Sequence, residues 1–366
     1  MTLSPRTKWK IRRIVPFGII WLCFACIFLF IEYAATDRFS FATEGVVRPN
    51  GAVLLFALVA ITLIGLVVGA IDLFYLSQRF SKHSFSQRIV GKTLFYVFFL
   101  FLIISITFPL AKSMELNQAL FSPEVWQAYL EFLSSLTFLS TCFQLSVSLI
   151  ASLLYAEISG NIGHQVLLNF FSGKYHQAKE ENRIFMFLDM KDSTTIAEHL
   201  GHLKYFHFLK HYYASISSPL IDYSGELYQY VGDEMVVSWT LKEGVKNANC
   251  LHCFFAMKEA LTKMKTEFES SYGFIPTFKA ALHVGKTTIG EIGSVKKEIL
   301  FSGDVLNTTA RIQGKCNALH ADLLISDTLK EALPLDPQFS YIPKGETELK
   351  GKKETLFIYG VEKISA

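Results

Sequence analysis

The chain has 366 residues, 51% of them hydrophobic, and a formal net charge of +3. That apolar content is high for a soluble protein, and the length accommodates two folded units rather than one. The small charge, with Lys and Arg not gathered into a stripe, argues against a nucleic-acid surface, and six cysteines without regular spacing argue against a secreted disulfide framework.

The hydrophobic excess lies in residues 1–156. Four stretches free of Asp, Glu, Lys and Arg run between Arg13 and Glu32, Arg48 and Asp72, Lys92 and Lys112, and Glu131 and Glu157. Crossing a hydrocarbon core takes about 20 apolar residues in a helix, so each reads as a transmembrane span. The first lacks a small-residue cleavage site and has too long an apolar core for a signal peptide, so it reads as a retained helix. Lys8, Lys10, Arg12 and Arg13 precede the first span, and Arg79, Lys82, Arg88 and Lys92 lie between the second and third. Basic residues collect on the cytoplasmic side, which puts the N-terminus and the region after the fourth span in the cytosol. Asp72 is expected to mark the interfacial end of the second span, where a charge avoids the cost of the bilayer centre.

Residues 157–182 begin polar, hold a short apolar patch and end in a charged run, as expected of a helix leaving the membrane and a connector. Residues 183–366 then have the mixed texture of a globular domain. The run RIFMFLDM predicts a strand that delivers Asp189 to its C-terminal edge, and KDSTTIAEHLG predicts a helix beginning at Ser193 and Thr194. Backbone N–H groups between Met190 and Thr194 would suit phosphate oxygens, and Ser193 serves equally as an N-cap. HLKYFHFLKHYYASISSPLIDY predicts a helix, and ELYQYVGDEMVVSWTL two strands about a tight turn, with Gly232 supplying turn freedom and Asp233 at the tip. A helix from about Val245 to Ser270 follows, with Cys250 and Cys253 as core residues rather than metal ligands, there being no second pair to complete a site. FKAALHVGKTTIGEIG and KKEILFSG read as strands, VLNTTARIQGKCNAL as a helix, and the tail as strand alternation around a Lys and Gly loop. The order is α+β with antiparallel hairpins.

The segments FLDMKDSTT, ELYQYVGDEMVVSW, SGDVLNTTARIQ and ELKGKKETLFIYG, in this order, resemble the catalytic domain of the class III adenylate and guanylate cyclases over nearly all of residues 183 to 363. The resemblance implies a ferredoxin-like α+β domain that converts ATP (or GTP) to a cyclic nucleotide and pyrophosphate. It also implies two Mg²⁺ (or Mn²⁺) ions, since in-line attack by the 3′-hydroxyl needs an activated nucleophile and a neutralised leaving group. Asp189 and Asp233 match the family's metal-binding aspartates, with the Met190 carbonyl as a further oxygen. Asn307 and Arg311 match its transition-state pair, four residues apart on one helix face. Ser193 and Thr194 fall at its phosphate-binding helix start. Lys350, or Lys352 instead, matches its triphosphate-contacting lysine. The purine-selecting lysine corresponds to Lys279 or, in the competing register, its place to Thr277; the second selecting position falls near Leu300 and Phe301. The lack of a Glu at the expected strand position favours adenine over guanine.

In this family each site takes its metal aspartates from one domain and its Asn and Arg from another. A chain with a single such domain is then expected to work as a head-to-tail homodimer. The expected whole is a multi-pass protein of the cell inner (plasma) membrane: a four-span helical anchor over 1–156, a linker over 157–182 and a cytosolic catalytic domain over 183–366. The lipid bilayer and a second copy are its partners, with no nucleic acid. A catalytically silent nucleotide-binding dimerisation module is the competing reading.

Overall fold

The computed structural model describes residues 4–38, 51–80, 84–348 and 355–364. The chain divides into two compact units, Thr7–Leu168 and a second comprising Asn169–Ala366 with Met1–Arg6.

The first unit is helical: α1 (Pro5–Arg38), α2 (Gly51–Ile71), α3 (Phe85–Leu116), α4 (Pro123–Leu133) and α5 (Leu136–Ile162). Among the described residues four helices are long and apolar enough to cross a membrane, over Pro5–Ile31, Leu54–Leu76, Phe85–Leu116 and Leu136–Ile162. Local sequence sets their ends. Ser84 and Gln87 form a capping box at the start of α3, α4 begins with Pro at its first turn, and the Ser135 hydroxyl accepts from the Phe138 N–H, 3.2 Å away, at the start of α5. Where α1 meets α2, a methyl group on Gly65 would stand 2.7 Å from the Trp21 ring, so glycine is what permits the approach.

The helices run past the charges expected to bound them. Asp72 and Lys92 are 4% and 1% exposed, and both lie inside the bundle rather than at helix ends open to solvent. The Lys92 ammonium is 2.8 Å from Asp72 Oδ1 and 3.2 Å from Glu157 Oε1, joining α2, α3 and α5. Arg88 reaches the other Glu157 oxygen at 3.4 Å, and the Ser77 hydroxyl donates to Asp72 Oδ2 at 3.0 Å. A π turn over Asp72–Leu76 continues α2 at this point. Asp72, expected at the interfacial end of the second span, is a buried carboxylate four residues before the end of that span at Leu76, and Lys92 supplies the charge that makes its burial tolerable.

The second unit is α+β. An eight-stranded sheet, β1 (Lys179–Met190), β2 (Glu226–Val231), β3 (Glu234–Thr240), β4 (Phe278–Ile292), β5 (Glu298–Ser302), β6 (Leu323–Ser326), β7 (Phe339–Glu348) and β8 (Thr355–Lys363), has the order β2-β3-β1-β4-β6-β8-β7, with β5 on the outer part of β4. Among the described residues only β4 and β6 run parallel. β1 begins at Lys179, taking in the last residues of the segment that reads as a connector. Its side chains alternate. Ile184, Met186, Leu188 and Met190 join the main core, with Phe208 and Tyr212 of helix α6 (His202–Ile216) and Phe254 and Met257 of helix α7 (Asn249–Lys263). Phe185 and Phe187 face the other way, onto Val305 of helix α8 (Asp304–Gln313).

The single helix expected over Val245–Ser270 is broken, with Asn247 and Ala248 in the left-handed region before α7 and a separate helix over Lys265–Tyr272. Cys250 and Cys253 are free and fully buried in the core, as core residues should be. β6 and the helix Asp327–Ala332 have no counterpart in the sequence reading, since a run of three apolar residues carries no decisive period.

Replacing Lys92 with Met leaves two buried carboxylates without their ammonium, and the bundle is expected to lose about 3–5 kcal/mol. The triple change Asp72→Asn, Lys92→Met, Glu157→Gln should recover most of that loss. SDS titration of the micelle-reconstituted protein reads both; a neutral Lys92→Met would mean that the cluster carries no net charge coupling.

Candidate active site

The alternation of β1 puts Asp189 on the face of Phe185 and Phe187, under α8 and away from the main core. Antiparallel pairing sets its neighbours: Glu234 stands opposite on β3 and Lys279 opposite on β4. The β2–β3 hairpin turns through Gly232 and Asp233, with glycine taking the positive φ of +63° that the first turn position requires. Asp233 is thereby held, half-buried, one residue from the strand partner of Asp189.

The two carboxylates interact. Burial pushes the Asp189 carboxyl above the usual carboxylate range, and the neighbouring charge of Asp233 pushes it further, against the pull of Gln313 and Lys279. The Glu234 carboxyl is raised by burial and then by both aspartates. Among the described residues no three His, Cys, Asp or Glu side chains converge on a point that could hold a metal ion. A cation here would rest on the Asp189–Asp233 pair and backbone oxygens. Met190 closes β1 with its side chain 2% exposed, so its carbonyl is the only polar part it can offer.

Three side chains that sequence reasoning either missed or cast differently hold this corner. The Tyr213 hydroxyl, from α6, donates to the carbonyls of Gly232 and Glu234 at 3.0 and 3.3 Å, clamping the turn that carries Asp233. Gln313, at the end of α8 and 8% exposed, donates through Nε2 to Asp189 Oδ2 at 3.1 Å. Lys279 stands 3.4 Å from the same oxygen and donates to Asn317 Oδ1 at 3.2 Å. No sequence period marks Tyr213 or Gln313, because each acts across elements distant in the chain.

Asp192 takes the left-handed conformation (φ +55°) between β1 and the helix that spans Ser193–Leu200. Ser193 is therefore the first residue within the helix and not its N-cap; Asp192 holds that place, without a side-chain cap bond. Ser193 is half-buried and Thr194 exposed, at a helix start whose first-turn N–H groups have no intrahelical partner.

Asn307 and Arg311 lie on α8, exposed and half-buried respectively. Among the described residues neither side chain makes a hydrogen bond or ion pair, to Asp189 and Asp233 or to anything else. The protomer thus gathers Asp189, Asp233 and Lys279 at one corner and leaves the Asn–Arg pair unengaged. Thr277 receives the Lys191 N–H through its carbonyl at 2.9 Å, and Phe301 packs edge-on against Phe185 and Tyr228. Lys350 and its alternative Lys352 lie outside the described residues.

Comparison with known proteins agrees with this architecture. The chain is 35% identical over 199 residues to adenylate cyclase 2 of Rhizobium meliloti (strain 1021), covering 54% of each chain. It is 25% identical over 192 residues to an adenylate cyclase of Anabaena cylindrica, covering 50% of this chain and 38% of that one. The chain thus spans about half the length, or less, of these curated relatives. A bacterial light-regulated adenylyl cyclase shares the fold, with a TM-score of 0.52 at 18% identity over 62% of this chain and 66% of that one. Residues 175–362, about half the chain, match the family model of the adenylate and guanylate cyclase catalytic domain, and it is to this family that the chain belongs.

Proposed function

We propose that the protein is a membrane-bound adenylate cyclase, converting ATP to 3′,5′-cyclic AMP and pyrophosphate at sites shared between two copies arranged head to tail. The observation that carries the reading is the division of labour within one protomer. Two half-buried acids are held at one sheet corner, while an Asn and an Arg on α8 find no partner among the described residues. A C₂ pairing lets each half complete the other, and two equivalent sites result. The adenylate cyclase relatives favour adenine over guanine.

The corner suits a hard cation. The Asp233 charge adds to the burial that raises the proton affinity of Asp189, positive charge relieves both, and oxygen donors are what Mg²⁺ and Mn²⁺ prefer. Held by Asp189, Asp233 and the Met190 carbonyl, two such ions would lower the pKa of the ribose 3′-hydroxyl and offset the charge on departing pyrophosphate. The chain's own groups do the rest. Asn307 orients the ribose, so that the hydroxyl meets the α-phosphorus in line. Arg311 donates to the α-phosphate oxygens as their charge grows, an interaction stronger in the transition state than in the ground state. The first-turn N–H groups at Ser193 and Thr194 receive phosphate oxygens, and Lys350 takes the triphosphate.

Residues 1–156 serve as the anchor, 157–182 as the connector and 183–366 as the catalytic unit. The basic residues before the first span and between the second and third orient the catalytic unit toward the cytosol of an inner (plasma) membrane, where ATP is found.

Purified protein supplied with Mn²⁺ and either ATP or GTP should yield cyclic AMP from ATP, read by mass. Cyclic GMP alone would reverse the purine assignment, and no product from a dimer that binds nucleotide would leave a silent module. Asp189→Ala should abolish turnover, and Arg311→Ala should lower kcat by about 10²–10³-fold without preventing dimerisation. Heterodimers of the two variants, isolated through separate tags, should regain one working site. Dimers that form and stay inactive would refute the shared site.

The raised Asp189 carboxyl has a further consequence for the metal-free protein. Below the ordinary aspartate value of 3.8, which the unfolded chain keeps, Asp189 is protonated in both states and contributes nothing. As pH rises past that value the unfolded chain ionises first, so the folded state is destabilised through neutral pH. Asp189→Asn should therefore raise Tm near about pH 7 and leave it unchanged near about pH 3 in chelator, by calorimetry of the reconstituted protein. A lower Tm at neutral pH would show that the carboxylate is stabilised by its neighbours.

A further inference from the structure

We propose that Lys279 is an internal counter-cation for Asp189, which a divalent cation must displace, so that this lysine weakens metal binding and sets the cation concentration at which the site fills. The inference rests on the reading of Asp189 as a metal ligand.

Strand register makes the contact obligatory. Asp189 and Lys279 are direct partners across β1 and β4, so their side chains leave the same face of the sheet side by side. Lys279 Nζ lies 3.4 Å from Asp189 Oδ2, and the two side chains are 13% and 27% exposed. An ion pair so placed is screened less than one on the open surface. Gln313 donates to that same oxygen at 3.1 Å. With an amide fixing the carboxylate and an ammonium beside it, the protomer already holds a single positive charge at the corner where the acids call for one.

A divalent ion on Asp189 and this ammonium in its present place would be like charges within a few ångströms of each other. Lys279 has somewhere else to go. Its ammonium already donates to Asn317 Oδ1 at 3.2 Å, on the rim of a cavity of about 450 Å³ that Asp192, Cys316 and His320 also line. Moving toward Asn317 keeps one hydrogen bond and gains the neighbourhood of Asp192, while Asp322 across the cavity is already paired to Lys191 at 2.5 Å and Lys258 at 2.6 Å. An ammonium committed to its own protomer's carboxylate acts on metal occupancy before it acts on a purine.

The test is metal binding without nucleotide, using the full chain in micelles and free Mn²⁺ counted by electron paramagnetic resonance. Lys279→Met keeps an unbranched apolar stem and removes the charge; Lys279→Gln is the second variant should the first fold poorly. Either should bind Mn²⁺ on the order of tenfold more tightly than the wild type. Lys279→Arg, which keeps the charge, should not. A purely structural lysine predicts the opposite sign, since a disordered corner binds metal less well. Unchanged or weaker binding in both neutral variants, with Asp189→Asn abolishing binding, overturns the proposal and leaves the metal site standing. Binding that survives Asp189→Asn removes the metal-ligand reading and the counter-cation with it.

Discussion

The register of β1 is the constraint on which the catalytic unit depends. β1 is hydrogen-bonded along both edges, to β3 and to β4, and its side chains divide strictly between two faces. A slip of one residue would turn Asp189 into the core around Phe254 and Met257, and Leu188 out under α8. Arg183 guards against that slip. Only 1% exposed, its guanidinium bonds Glu181 and Ser238, each at 3.2 Å, together with Glu226 on β2, and lies 5.0 Å from the Phe301 ring centroid. A shifted strand would leave that charge buried and unpaired, which is strongly destabilising. One cation thus ties β1, β2 and β3 into the alignment that presents Asp189.

From that alignment the site follows with few further parts. The hairpin needs one glycine to turn, and Tyr213 holds the turn by two backbone carbonyls, so Asp233 is positioned by main chain rather than by a flexible side chain. Gln313 and Lys279 both address a single oxygen of Asp189. Gln313 stands two positions beyond Arg311 on α8, so the helix that offers Asn307 and Arg311 outward also steadies the carboxylate of its own protomer. In a head-to-tail dimer those two groups serve different sites, and α8 would be a rigid element common to both.

The same electrostatic rule governs the helical unit. Its interior accepts Asp72 and Glu157 because Lys92 lies between them, and the three side chains join α2, α3 and α5 at one place. Apolar packing alone distinguishes poorly among rotations of such helices, whereas a buried charge has only one arrangement in which its partners are met. The π turn at Asp72 and the close approach at Gly65 are local departures that this packing accommodates.

By itself the sequence determined the four apolar helices, the α+β order of the later elements, the hairpin with Asp233 at its turn and the strand ending near Asp189. These are legible because uninterrupted apolar runs, period-two alternation and a glycine turn are local signals, written in neighbouring residues. The family motifs likewise marked Asn307 and Arg311. Only the tertiary structure decided that Asp72 is buried against Lys92, that Tyr213 and Gln313 brace the carboxylates, that Lys279 faces Asp189, and that β6 slots in parallel beside β4. Each of these joins residues far apart in the chain, and a cross-strand or interhelical partner is set by register and packing, which no local pattern encodes.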